Sequence, residues 1–242
     1  MSRKPDREPP EGRRARAAAM RGQAAREERR RRLLIFLAVG VVVLAVVVGI
    51  TLAVVSSGGG PSRNQPPAEA GIPSTPTKTA AGRTTLPPWD APGDPSARVT
   101  AAGLPMLGAE GNVEHIHAHL DILVNGKPVS VPADIGIDQQ AQKISPLHTH
   151  DANGVIHIES PVKATFSLGQ FMTEWNVALT QNSVGGLKAG GGNEFHAYVN
   201  GKEIRGNPAA VEFKAHDEIA LVYGPAGQKV NVPSSYNWPK GE

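Results

Sequence analysis

The residues of this 242-residue chain best suited to chemistry are its histidines. All eight lie between His115 and His216, and six fall between His115 and His157. In the tract EHIHAHLD, His115, His117, His119 and Asp121 occupy alternate positions. On a strand they therefore share one face, opposite Leu120, Ile122 and Val124. Neighbours two apart are about 6.6–7 Å apart at Cα, close enough for two imidazoles to meet on one ion, whereas His115 and His119 would be about 13 Å apart. The second tract, LHTHDANGVIHIE, carries His148, His150, His157 and Glu159 around Asn153-Gly154. A two-residue turn there sets His150 opposite His157 and His148 opposite Glu159, a four-ligand patch with Thr149, Ile156 and Ile158 pointing away.

Neutral imidazoles with a carboxylate suit Zn(II), Cu(II), Ni(II) or non-haem Fe(II), with Zn or Cu preferred, and near pH 7 most histidines need lose no proton to bind. The candidate metal ligands are thus His115, His117, His119, His148, His150, His157 and Glu159. A single site of His117, His119, His148 and His150 stands beside the hairpin quartet as an alternative. His196 and His216 read as surface or packing residues. With no cysteine, disulfides, thiolate zinc sites, iron–sulfur clusters and cysteine nucleophiles are excluded. There is no H-E-x-x-H helix, no G-x-S-x-G elbow and no Walker loop, and GGLKAGGGNEF reads as a flexible connection.

Three turn signals organise the elements that carry these residues. Asn125-Gly126, Asn153-Gly154 and Asn200-Gly201 each predict a type I′ hairpin turn, in which both residues need positive φ. Ser167 and Gln170 form a capping box, and Leu168, Phe171, Trp175 and Leu179 recur at helical spacing. The expected fold is α+β and mostly β, made of hairpins and one helix. The domain is placed at 98–238. Before it, 56–97 is rich in Pro, Gly and Thr and reads as an extended linker, with Trp89 its only bulky residue. Residues 33–55 are 23 uncharged, almost wholly apolar residues, which predict a transmembrane helix and retained signal anchor. Residues 1–32 carry net charge +7 and read as a disordered basic tail kept in the cytoplasm, with the C-terminal domain outside the plasma membrane. The remaining residues carry −4, which excludes a basic nucleic-acid face.

The strand hairpins, helix, VNGK turn and HDEIALVYG strand resemble the β-grasp family over roughly residues 115–224, and a small β-sandwich is the alternative. The tract GLPMLGAEGNVEHIHAHLDILVNG with SPLHTHDANGVIHIESP also resembles membrane-anchored bacterial His-rich proteins of unassigned function. The HxH strand pair is similar to the first metal motif of the cupin family. Asp121 stands where that motif has Glu, however, and no second glycine-bearing His motif follows.

Three functions are compatible with these residues: a membrane-anchored module binding a transition metal, a tethered interaction or pH-sensing domain without metal, and a His-ligated metalloenzyme. The expected partners are membrane lipid and a metal ion. No substrate and no protein partner can be read.

Overall fold

The computed structural model describes residues 71–239. Helix α1 (Pro95–Ala101) precedes the long strand β1 (Glu114–Val124) and β2 (Lys127–Val129). Short strands β3 (Ile137–Asp138), β4 (Lys143–Ile144) and β5 (Leu147–His148) lead to β6 (Val155–Ser160) and helix α2 (Leu168–Glu174). After β7 (Leu179–Thr180), β8 (Ser183–Val184) and β9 (Leu187–Lys188) come β10 (Asn193–Val199), β11 (Lys202–Glu203) and β12 (Glu218–Pro225). The principal sheet has seven strands in the order β11-β10-β12-β1-β6-β5, with β2 also paired to β1. Strands β3–β4 and β7–β8–β9 make two small further sheets.

Strand β1 is the centre of this arrangement. Its second half runs parallel to β12, while its first half pairs antiparallel with β6. Two of the three expected turns form as the sequence predicts. Asn125 and Gly126 have φ 53° and 76°, and Asn200 and Gly201 have φ 51° and 74°, so Val124 pairs with Lys127 and Val199 with Lys202. The third differs. His148, not His150, pairs with His157, and the connection spans residues 149–154. Thr149 causes the change. Its backbone exchanges hydrogen bonds with Asp134 and Ile135, and its hydroxyl donates to the Pro132 carbonyl at 2.8 Å, so the strand ends there.

One face of the sheet, with Ala118, Leu120, Ile122, Ile156, Ile158, Phe195, Ile219 and Leu221, packs on the helices. Helix α2 starts at the predicted capping box: Ser167 Oγ accepts from the Gln170 N–H, and Gln170 Oε1 accepts from the Ser167 N–H. It places Leu168, Phe171 and Trp175 in the core, but Asn176 at φ 61° ends it, so Leu179 belongs to β7. The other face is crossed by the C-terminal segment, where Val230 and Val232 pack on Leu123, Ala220 and Val222.

Several expectations are corrected. The segment over 71–97, expected as part of a free linker, is built into the domain. The Trp89 ring is buried, lies edge-on to Trp175 at 5.8 Å, and its carbonyl accepts from Trp175 Nε1 at 3.1 Å. Arg83 and Arg98 reinforce the joint by donating to the Asn176, Trp175 and Thr173 carbonyls at the end of α2. Composition implies a tether because prolines dominate the segment; one Trp, two Arg side chains and the bridges of Ala80 to Leu179 and Arg83 to Val177 seat it.

The transmembrane helix predicted over 33–55 lies outside the described residues. Among the described residues no helix is long and apolar enough to cross a membrane, both α-helices having seven residues. The mostly β class fits, and the described residues form two short α-helices and three sheets, in place of a transmembrane helix with a one-helix β-grasp-like or sandwich domain. A plasma-membrane location and a lipid partner are left without support.

The core holds one costly group. Glu174, at the end of α2, is fully buried; Ser145 Oγ donates to its Oε1 at 2.7 Å, and its Oε2 has no partner. Burial pushes its carboxyl well above the ordinary value, only partly opposed by Ser145. A folded-state pKa raised in this way gives stability that is complete below about pH 4.5 and is lost as pH rises towards the folded value. Glu174→Gln is expected to raise the thermal midpoint at pH 7 and to flatten its decline between about pH 5 and 7. An unchanged or lower midpoint at pH 7 would contradict this reading of the core.

Candidate metal centre

The centre is built on three adjacent strands, β5, β6 and β1. Register sets His148 beside His157 and His157 beside His117, so three imidazoles stand in a row across the sheet, on the face opposite the core. His115 pairs with Glu159 in the next row. The shift of the β5–β6 pairing by two residues leaves each side chain on its predicted face, because side chains alternate with period two. His150, just beyond β5, still reaches the same ligand group.

Ring nitrogens of His148, His150 and His157 all lie within 4.8 Å of one another. His148 is fully buried and His150 exposed at the rim. The Nδ1–H of His148 donates to the Ser145 carbonyl at 3.0 Å, which leaves the Nε2 lone pair facing His150 Nε2 at 3.2 Å. His157 is oriented in the same manner. Its Nδ1 meets Glu159 Oε1 at 3.2 Å, and a nitrogen of its ring lies within 4.8 Å of ring nitrogens of His148 and His150. The rings of His148 and His157 are stacked at 5.2 Å, and His150 stands edge-on to each, at 4.7 and 4.6 Å.

Glu159 is the electrostatic centre. It is buried, and its Oε1 lies 3.2 Å from His157, 3.5 Å from His115 and 3.9 Å from His117. Burial opposes its ionisation. The contact with His117, the hydrogen bond with His157 and the nearby His148 and His115 outweigh burial, and its carboxyl is held well below the ordinary range. His148 moves the other way for an imidazole: burial lowers it to about 4, against partial opposition from the Ser145 carbonyl and Glu159. A buried neutral imidazole beside an ionised carboxylate is the protonation state that a metal ligand needs.

Two participants were not in the predicted set. Glu110, from the loop before β1, brings Oε1 to 3.3 Å from His150 Nε2 and 4.0 Å from His148 Nε2. Backbone hydrogen bonds between Leu107 and Ile144 and from Val113 to Ser160 lay this loop along the site. Gly111 is essential to that approach, since a Cβ there would be 2.0 Å from the Ser160 carbonyl carbon. The second is Glu218, opposite His119 on β12. It draws His119 away from the other histidines: His119 Nδ1 and Glu218 Oε2 are 2.9 Å apart, and His119 Nε2 is 2.8 Å from the Asn153 carbonyl.

The predicted residues thus divide. His148, His150 and His157 form one ligand group, and His115 and His117 gather with Glu159 in a second, Glu159 also lying within 4.8 Å of ligand atoms of His148 and Glu110. His119 belongs with Asp121 and Glu218 in a third. The single site of His117, His119, His148 and His150 does not form. The face was expected to keep these histidines out of the core, yet His117 and His119 are buried beneath the C-terminal segment, where Tyr236 stacks on His119 at 4.0 Å. His196 is a surface residue paired with Glu203 at 2.7 Å, and that hydrogen bond raises its pKa. His216 stacks on Trp238. No family model, curated protein or solved structure matches the chain, so the arrangement is read from its own geometry.

For the metal-free protein a pH effect follows. Unfolding returns His148 to its ordinary pKa of 6.5, so the unfolded chain takes up a proton that the native state excludes. The stability due to neutral His148 is complete above about pH 6.5 and is lost as pH falls towards 4, at up to about 1.4 kcal/mol per pH unit. Denaturant unfolding in chelator should show His148→Gln to be less acid-sensitive than wild type across that window. Equal slopes would contradict the burial of a neutral His148.

Proposed function

We propose that this domain binds a transition-metal ion, Zn(II) or Cu(II), through His148, His150 and His157, with Glu110 as a further ligand. The observation that carries this reading is the spacing of the donor atoms. Two ligands on a tetrahedral zinc at 2.0–2.1 Å are about 3.3 Å apart. His148 Nε2 and His150 Nε2 are separated by 3.2 Å, and His150 Nε2 and Glu110 Oε1 by 3.3 Å. Glu159 and the Ser145 carbonyl take the other ring nitrogens of His157 and His148, as outer partners of metal-bound histidines do.

The chemistry favours holding an ion over activating water on it. Three imidazoles with Glu110 as a fourth donor would fill a tetrahedral shell, whereas a catalytic zinc keeps one position for water. Binding or delivery of metal is therefore preferred to hydrolysis. Among the described residues the interaction or pH-sensing alternative has no geometric feature of comparable specificity.

The test is a Zn(II) titration of the full-length protein, prepared without an affinity histidine tag and stripped with chelator. Wild type should bind Zn(II) and gain about 2.7 kcal/mol of stability at one hundred times Kd. His150→Ala, at the exposed rim, should weaken this component by more than about 100-fold without altering the metal-free fold. Glu159→Gln should weaken it by about 10–100-fold. Equal Zn(II) affinity in wild type and His150→Ala would refute the assignment.

A further inference from the structure

The three-residue group on the far side of β1 has a different chemistry and stands independently of the histidine triad. His119 Nε2 lies 2.8 Å from the Asn153 carbonyl, an acceptor only, so that nitrogen carries a proton. In the neutral ring Nδ1 then presents a lone pair, and it faces Glu218 Oε2 at 2.9 Å. Two lone pairs at that distance require a positive charge between them, either a proton or a cation. Glu218 is 1% exposed, and its second oxygen, Oε1, is buried without any hydrogen-bond partner. Asp121 Oδ2 lies 3.8 Å from the same His119 nitrogen, which puts two carboxylates and one imidazole donor within 4.8 Å of one another.

We infer that His119, Asp121 and Glu218 form a second divalent-cation site, harder in character than the histidine triad. Two carboxylates and one imidazole favour Mn(II) over the ions preferred by an all-imidazole set. Adjacent ligands of an octahedral ion at 2.1 Å are about 3.0 Å apart, close to the His119–Glu218 spacing. The orphaned Glu218 oxygen is the feature a cation would satisfy, and the cation would displace the one proton otherwise shared with His119. Asp121 is the half-exposed member and lines an open cavity of about 290 Å³ that also borders Asn153 and Gly154, giving an ion a route in. Tyr236 closes the opposite side by stacking on the His119 ring.

Mn(II) binding to the full-length protein, followed by electron paramagnetic resonance of the free ion, tests this. Wild type should bind one equivalent of Mn(II) that Asp121→Asn weakens at least tenfold, while His150→Ala leaves it within twofold. Glu218→Gln, checked for native circular dichroism, should reproduce the Asp121→Asn loss. Zn(II) binding at the triad should survive Asp121→Asn, so failure of either site is seen separately. Absence of Mn(II) binding in wild type would overturn the inference, leaving a proton as the charge between His119 and Glu218. Unchanged affinity in Asp121→Asn, or loss of Mn(II) in His150→Ala, would overturn it as well.

Discussion

The pairing of β6 with β5 on one side and β1 on the other is the constraint on which the rest of the domain depends. Because His157 sits beside both His148 and His117, one register aligns imidazoles from three strands. The same alternation that directs Ile156 and Ile158 into the core directs His157 and Glu159 to the opposite face. Packing and ligand placement are therefore one property of the sheet. A slip by one residue would exchange the two sets, sending histidines into the hydrocarbon core; a slip by two would keep the faces but part His157 from His148 and His117.

Burial then gives that face its chemistry. Imidazoles left in water would titrate near neutrality, but a C-terminal segment lies across the sheet and brings Tyr236 and Trp238 onto it. The groups on this face respond according to their partners. His148, buried and bonded to a carbonyl, is held neutral, and Glu159, surrounded by imidazoles, is held ionised. On the other side of β1, His119 and Glu218 are both shifted upward. Burial pulls His119 down, but contact with Glu218 outweighs it; burial pushes Glu218 up against the effect of His119. Strand β1 thus separates an imidazole-rich group from a carboxylate-rich one, although the two share a face.

Much of this was legible where local chemistry decides the structure. The Asn125-Gly126 and Asn200-Gly201 turns follow from the positive φ that both residues tolerate, and the α2 start follows from Ser167 and Gln170. The third Asn-Gly pair misleads because Thr149 is captured by residues 132–135, a tertiary contact without a local signal. The faces of His115, His117, His148 and His157 were readable even so, since alternation survives a two-residue shift. Glu110 was not readable: it lies in an irregular loop held by backbone bonds to Ile144 and Ser160. Nor was Glu218, whose place beside His119 depends on a parallel pairing between strands some hundred residues apart. The hydropathy of 33–55 concerns residues outside those described and did not help to position any of these groups.

The central claim concerns which atoms surround the ion, so the most direct measurement is X-ray absorption at the zinc edge of the full-length protein loaded with one equivalent of Zn(II). The account predicts a four-coordinate shell of nitrogen and oxygen at about 2.0–2.1 Å, with the outer-shell scattering of three imidazoles, reduced to two in His150→Ala. A six-coordinate, oxygen-dominated shell, or an imidazole signal unchanged by His150→Ala, would contradict it.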